Sequence, residues 1–187
     1  MRYLTVPGYT NSGPEHWQTH LENTYAGFDR VVQDDWDAPD RDRWVARLDE
    51  TVRGTEDEVL LVGHSCGSVT AALWAATCWD SRVTGAVLVA PGDVEAEDAP
   101  PEITGLAPLP RKQLPLKTHL VVTDNDPHLS LERGRSLARA WGSSIEVLPG
   151  GGHLATADGF GEWEGIAPII ERVSGRTLRR RTRSDSR

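Results

Sequence analysis

Val59-Leu60-Leu61-Val62-Gly63-His64-Ser65-Cys66-Gly67-Ser68 runs from an unbroken apolar segment into a Gly-x-Ser-x-Gly pattern, and a mostly small-residue stretch follows it as far as Trp79. Four apolar residues in a row read as a strand buried on both faces, and residues 66–79 read as helix. A turn this tight between strand and helix has no room for side chains at Gly63 and Gly67, and it presents the Ser65 hydroxyl at the carboxyl edge of a sheet. The pattern by itself is a weak signal; with a strand before it and a helix after it, it has the setting of a nucleophile elbow. Neither a Gly-Lys-Ser/Thr nor a Gly-x-Gly-x-x-Gly pattern occurs here, which argues against a phosphate-binding loop.

Outward from this turn, apolar and β-branched runs alternate with helical patterns. Strands are expected over residues 3–6, 30–33, 59–62, 83–90, 119–123 and 145–148, and helices over 15–25, 41–52, 66–79, 131–141 and 163–173. Strands apolar on both faces and separated by helices imply a mostly parallel six-stranded sheet covered on both sides. Residues 91–115, with four interior prolines and no helical period, read as an irregular excursion loop of the kind that often carries function.

A serine hydroxyl needs a base, and the base needs an acid to orient it. His153 follows Leu148-Pro149-Gly150-Gly151-Gly152 at the end of the sixth strand, and Asp126 lies in Asp124-Asn125-Asp126-Pro127 after the fifth. The carboxyl ends of parallel strands share one rim, so Ser65, Asp126 and His153 are expected to converge as a triad in the chain order Ser, Asp, His. Asp124 competes for the acid's place; Pro127 restricts the backbone of Asp126 and favours that choice. An oxyanion hole is expected from two backbone N–H groups: that of Cys66, at a helix N-terminus, and that of Tyr9, which follows the flexible Gly8 after the first strand. Cys66 is expected to contribute its backbone only.

Several features jointly resemble the RBBP9/YdeN family of small serine hydrolases within the α/β-hydrolase superfamily. They are Val6-Pro7-Gly8 with His16-Trp17, Asp34-Asp35-Trp36 with Pro39 and Trp44, Gly63-His64-Ser65-Cys66-Gly67, Ala90-Pro91, Asp126-Pro127, Gly152-His153 and Gly159-Phe160-Gly161-Glu162-Trp163. The resemblance spans about residues 2–173. It implies a single-domain α/β-hydrolase-like fold over residues 1–175 without a cap domain, and a triad hydrolase acting on a small acyl substrate with no metal or organic cofactor. The family name also reflects a protein-binding role, so a protein partner is a second expectation.

Length and composition are compatible with that reading. The chain has 187 residues, 38% of them hydrophobic, which suits one packed domain. No run approaches the roughly 20 apolar residues of a membrane helix. Leu4-Thr5-Val6 breaks at Pro7-Gly8, too soon for a signal-peptide core, so a soluble cytoplasmic protein is expected. A net charge of −8 argues against nucleic acid as the main ligand. Residues 176–187 hold six arginines and one aspartate with hardly an apolar side chain, and read as a disordered basic tail. Cys66 and Cys78 lie too far apart on one helix to pair.

The other histidines, acids and tryptophans receive modest roles. His16 and His20 have helical i, i+4 spacing but no metal-site glutamate, and are expected to serve packing or the surface; His64 is expected to brace the elbow. Asp34, Asp35 and Asp37 read as a solvated loop rather than a cation site. Trp74, Trp79 and Trp141 read as core, and Trp17 and Trp163 as candidate substrate-pocket walls. A binding module on the same fold would not need Ser, Asp and His in that order, whereas a peroxidase or lyase could reuse them.

Overall fold

The computed structural model of the chain describes residues 1–182. Its strands are β1 (Arg2–Val6), β2 (Phe28–Arg30), β3 (Val59–His64), β4 (Val83–Val89), β5 (Lys117–Thr123) and β6 (Ser144–Leu148). They form one sheet in the order β2-β1-β3-β4-β5-β6, with every neighbouring pair parallel. The helices are α1 (Trp17–Thr24), α2 (Arg41–Arg53), α3 (Cys66–Thr77), α4 (Leu131–Trp141) and α5 (Ile166–Ser174).

Alternate strand residues separate into two cores. Leu4, Leu61, Leu88 and Val122 face α2, α3 and α4, meeting Trp44, Leu48, Trp74 and Trp141. Tyr3, Leu60, Val62, Val87 and Val121 face α1 and α5, meeting Trp17, Leu21, Ile166 and Ile170. Each central strand therefore buries both faces, the physical reason its sequence shows continuous rather than alternating hydrophobicity. The strand order reverses direction between β1 and β3, and at such a switch point the loops leaving the strands diverge and open a crevice. Gly8 after β1 and Ser65 after β3 sit on either side of it.

The elbow is set by contact. A Cβ on Gly67 would lie 1.8 Å from the Val6 carbonyl oxygen, and one on Gly63 would lie 2.7 Å from Ser68 Cα. Ser65 itself adopts φ 54° and ψ −125°, a conformation that side chains rarely take and that the packed turn imposes.

Several boundaries and burials differ from expectation. The second strand covers Phe28–Arg30, not residues 30–33: Phe28 stacks on Tyr3 at 4.8 Å, and the pairing with β1 ends at Thr5↔Arg30. Val32, outside the ladder, is 62% exposed. Helix α3 stops at Thr77, which leaves Trp79 beyond its end and 46% exposed rather than in the core. The excursion at 91–115 is not wholly irregular. It contains a 3-10 helix, Pro101–Leu106, and buries Val94, Ile103, Leu106, Leu109 and Leu114 in the α3-side core. Arg133 on α4 fastens it by pairing with Asp93 and Glu95.

Part of the expected tail is also placed. The Ala26 N–H donates to the Arg179 carbonyl and the Arg181 N–H to the Thr24 carbonyl, both at 2.8 Å, while Leu178 is buried. Leu178, these backbone bonds and an ion pair of Arg176 with Glu58 anchor residues 176–181. The remainder of that expectation, residues 183–187, lies outside the described residues.

Candidate active site

Ser65, Asp126 and His153 leave the ends of β3, β5 and β6 and meet on one rim. His153 Nε2 lies 2.9 Å from Ser65 Oγ, and His153 Nδ1 lies 2.9 Å from Asp126 Oδ2 and 3.0 Å from Oδ1. The carboxylate accepts and can accept only, so Nδ1 carries the proton and Nε2 offers its lone pair to the hydroxyl. The Asp126 side chain is 1% exposed, and its Oδ1 also accepts the His128 N–H at 2.8 Å, which fixes the carboxylate's direction.

The neighbouring polar residues of that loop act on the backbone instead. Asp124 Oδ1 accepts the Gly150 N–H at 2.7 Å and Asn125 Oδ1 accepts the Gly152 N–H at 2.8 Å. Thr123 Oγ1 donates to the Gly152 carbonyl, and Asp158 Oδ2 accepts the His153 N–H at 3.0 Å. The glycine loop is thus tied at successive backbone groups, and it holds the imidazole in one place.

Ser65 opens into a cavity of about 420 Å³ whose walls include Tyr9, Cys66, Gly92, Ile103 and His128. A Cβ placed on Gly8 would come within 2.9 Å of Ser65 Cβ and 3.3 Å of the Cys66 nitrogen, so only glycine lets the first loop close on the elbow. The Cys66 N–H belongs to the first turn of α3, whose donors have no partner within the helix. Burial pushes the Cys66 thiol up to about 11, against lowering hydrogen bonds from the Tyr9 backbone and the Ser65 side chain. Tyr9 and Cys66 line the same cavity as Ser65, and the Cys66 thiol is protonated at neutral pH.

The expectation for the two tryptophans fails here. Trp17 and Trp163 do not line this cavity; they pack edge to face at 5.6 Å and border a separate cleft of about 220 Å³ with His20, Tyr25 and Arg180. Trp17 is buried, and its Nε1 donates to the Leu154 carbonyl at 3.0 Å, so it supports the histidine loop from beneath. His64, expected to brace the elbow, ties it to the loop after β6: its Nε2 lies 2.9 Å from the His153 carbonyl oxygen. His16, expected at the surface or in packing, is buried, lines the active cavity and caps α1. His128, which the spacing argument does not single out, sets its ring edge to face against His153 at 4.7 Å.

Among the acids after β2, Asp34 pairs with Arg47 and Asp35 caps the Asp37 N–H at 2.9 Å, in keeping with a solvated loop. No group of three or more His, Cys, Asp or Glu side chains among the described residues is arranged to hold a metal ion. No helix among them is long and apolar enough to cross a membrane.

Known structures share the fold. A YdeN-like hydrolase from Pectobacterium atrosepticum superposes with a TM-score of 0.83 at 28% identity, over 93% of this chain and 90% of that one. The ydeN gene product of B. subtilis gives 0.74 at 15% identity over 94% and 99%. The type II thioesterase BorB of the borrelidin biosynthetic cluster gives 0.68 at 16% over 95% and 92%; these two likenesses concern the fold. No curated protein sequence matches significantly. The Serine hydrolase family model matches residues 3–172, nearly the whole chain, and the chain therefore belongs to that family, as a YdeN-like serine hydrolase with the α/β-hydrolase fold.

Proposed function

We propose that the protein hydrolyses small esters or related acyl compounds through an acyl-enzyme on Ser65. The observation that carries this reading is the unbroken line from Ser65 Oγ through both nitrogens of His153 to the buried carboxylate of Asp126. In the first step His153 Nε2 takes the hydroxyl proton as Ser65 Oγ bonds to the acyl carbon, and Asp126 stabilises the imidazolium without becoming protonated. The carbonyl oxygen gains negative charge and accepts from the N–H groups of Cys66 and Tyr9, with the N-terminus of α3 adding its dipole. Collapse breaks the bond to the alcohol, which leaves with the proton from His153. Water then repeats the sequence with His153 as base and releases the acid.

The test is a screen of soluble esters with the Ser65→Ala protein as control. Hydrolysis by the wild type that the variant loses supports the reading. A folded Ser65→Ala protein that works at the wild-type rate overturns it.

A further inference from the structure

Two histidines outside the triad are joined to it in a way that fixes every proton between them. The Gln18 N–H donates to His16 Nδ1 at 3.2 Å. A neutral His16 must then carry its proton on Nε2, and that atom lies 3.2 Å from His64 Nδ1. With Nδ1 accepting, His64 carries its proton on Nε2, which lies 2.9 Å from the carbonyl oxygen of His153. The opposite end gives the same answer, because a carbonyl can only accept and so requires the Nε2 proton of His64. Donor follows donor from the start of α1, across the end of β3, to the loop after β6.

We propose that His16 and His64 are positioning residues, a proton-ordered pair of neutral imidazoles that anchors the main chain of His153 to the N-terminus of α1. The inference rests on the reading of His153 as the catalytic base. Its physical basis is that either ring can take a second proton only by breaking a bond: a proton on His16 Nδ1 would face the Gln18 N–H, and one on His64 Nδ1 would face the His16 N–H unless His16 reversed its own tautomer against Gln18. Burial, together with the Arg30 guanidinium and the His153 and His20 rings, holds His16 at about 4. Burial and the His153 and His16 rings likewise hold His64 well below the usual imidazole range.

Neutrality matters for the chemistry. The His64 and His153 rings are 5.1 Å apart, and a positive His64 would oppose the imidazolium that His153 must form. A second buried group keeps the start of the relay in register. Gln18 Nε2 donates to the Val6 carbonyl at 3.2 Å and the Val62 carbonyl at 3.0 Å, which ties α1 to the ends of β1 and β3.

The test has two arms. In the first, nitrogen-15 spectra of the histidine-labelled protein report tautomers directly. His16 and His64 should both be neutral with the proton on Nε2 from pH 8 down to about 5, whereas a proton on Nδ1 of either ring, or titration near 6.5, would overturn the proposal. In the second arm His64→Leu removes the donor to His153 and His64→Gln keeps one at the place of Nε2. With folding checked by thermal melting, His64→Leu should lower kcat between about 10- and 100-fold with KM little changed, and His64→Gln should recover most of it. Equal activity in the two variants would count against the relay. If the wild type hydrolyses no ester, the proposed activity fails, and the nitrogen spectra still decide the relay by themselves.

Discussion

Asp124 and Asp126 lie two residues apart on one loop, and each carboxylate holds a different nitrogen: Asp126 the ring of His153, Asp124 the backbone of Gly150. Asp126→Asn should therefore reduce kcat by roughly 10³- to 10⁴-fold, because the amide can favour the wrong imidazole tautomer. Asp124→Asn keeps an oxygen for the Gly150 N–H and should cost far less. Steady-state kinetics of the two purified variants decide this, and a larger loss in Asp124→Asn would reverse the assignment. A thiol raised to about 11 is a poor competitor for Ser65, so Cys66→Ala, which retains the backbone N–H, should lose far less activity than Ser65→Ala. Inactivation of the wild type by iodoacetamide at pH 7.5 would contradict that. The triad is legible in the sequence because its chemistry demands particular residue types at strand ends in a set order. The depth of a side chain is not so legible. Nothing in His16-Trp17 tells which of two clefts each residue borders, since that depends on how α1 is rotated against the sheet.

At the scale of elements, the elbow and the start of α1 carry separable consequences. The Cβ of Gly67→Ala would meet the backbone of β1, which has no flexible end to yield, so the substitution should destabilise the protein by about 3 kcal/mol or more. Thermal melting should show a fall of roughly 6–12 °C, while Gly13→Ala, with nothing within 4 Å of its new Cβ, should melt as the wild type does. At the start of α1, His16 is neutral in the folded chain down to about pH 4, but its unfolded form takes a proton near 6.5. The unfolded state therefore binds more protons between those values, and stability falls as pH drops from 6.5 toward 4, by an amount on the order of 3 kcal/mol. His16→Asn retains a cap acceptor for α1 and should flatten that slope; denaturant midpoints at pH 7 and pH 4.5 measure it. An unchanged slope would show that His16 is protonated in the fold. The alternation of strands and helices is readable from periodicity, whereas the ends of β2 and α3 are not. They are set by where β1 stops pairing and by how far α3 stays under the excursion, both of which are tertiary facts.

For the molecule as a whole, the sheet carries a single sizeable insertion among the described residues, and that segment is folded down onto the core rather than raised as a lid. The expectation of an irregular loop is corrected by its buried leucines and isoleucine, whose spacing among prolines has no period that sequence analysis could detect. A cavity of about 420 Å³ suits a short acyl group, and each further methylene would need apolar surface to contribute its roughly 0.8 kcal/mol. kcat/KM over an acyl series should therefore peak at short chains and fall with length; a steady rise, or activation at a lipid–water interface, would show an apolar groove. The central claim is that Ser65 is a nucleophile primed by His153. Its most direct measurement is the intact mass of the protein after treatment with a fluorophosphonate, followed by peptide mapping of the adduct. One adduct per chain, on the peptide containing Ser65 and lost in Ser65→Ala and strongly slowed in His153→Ala, is the expected result, and a folded wild type that takes no label, or a Ser65→Ala protein labelled equally well, would contradict it.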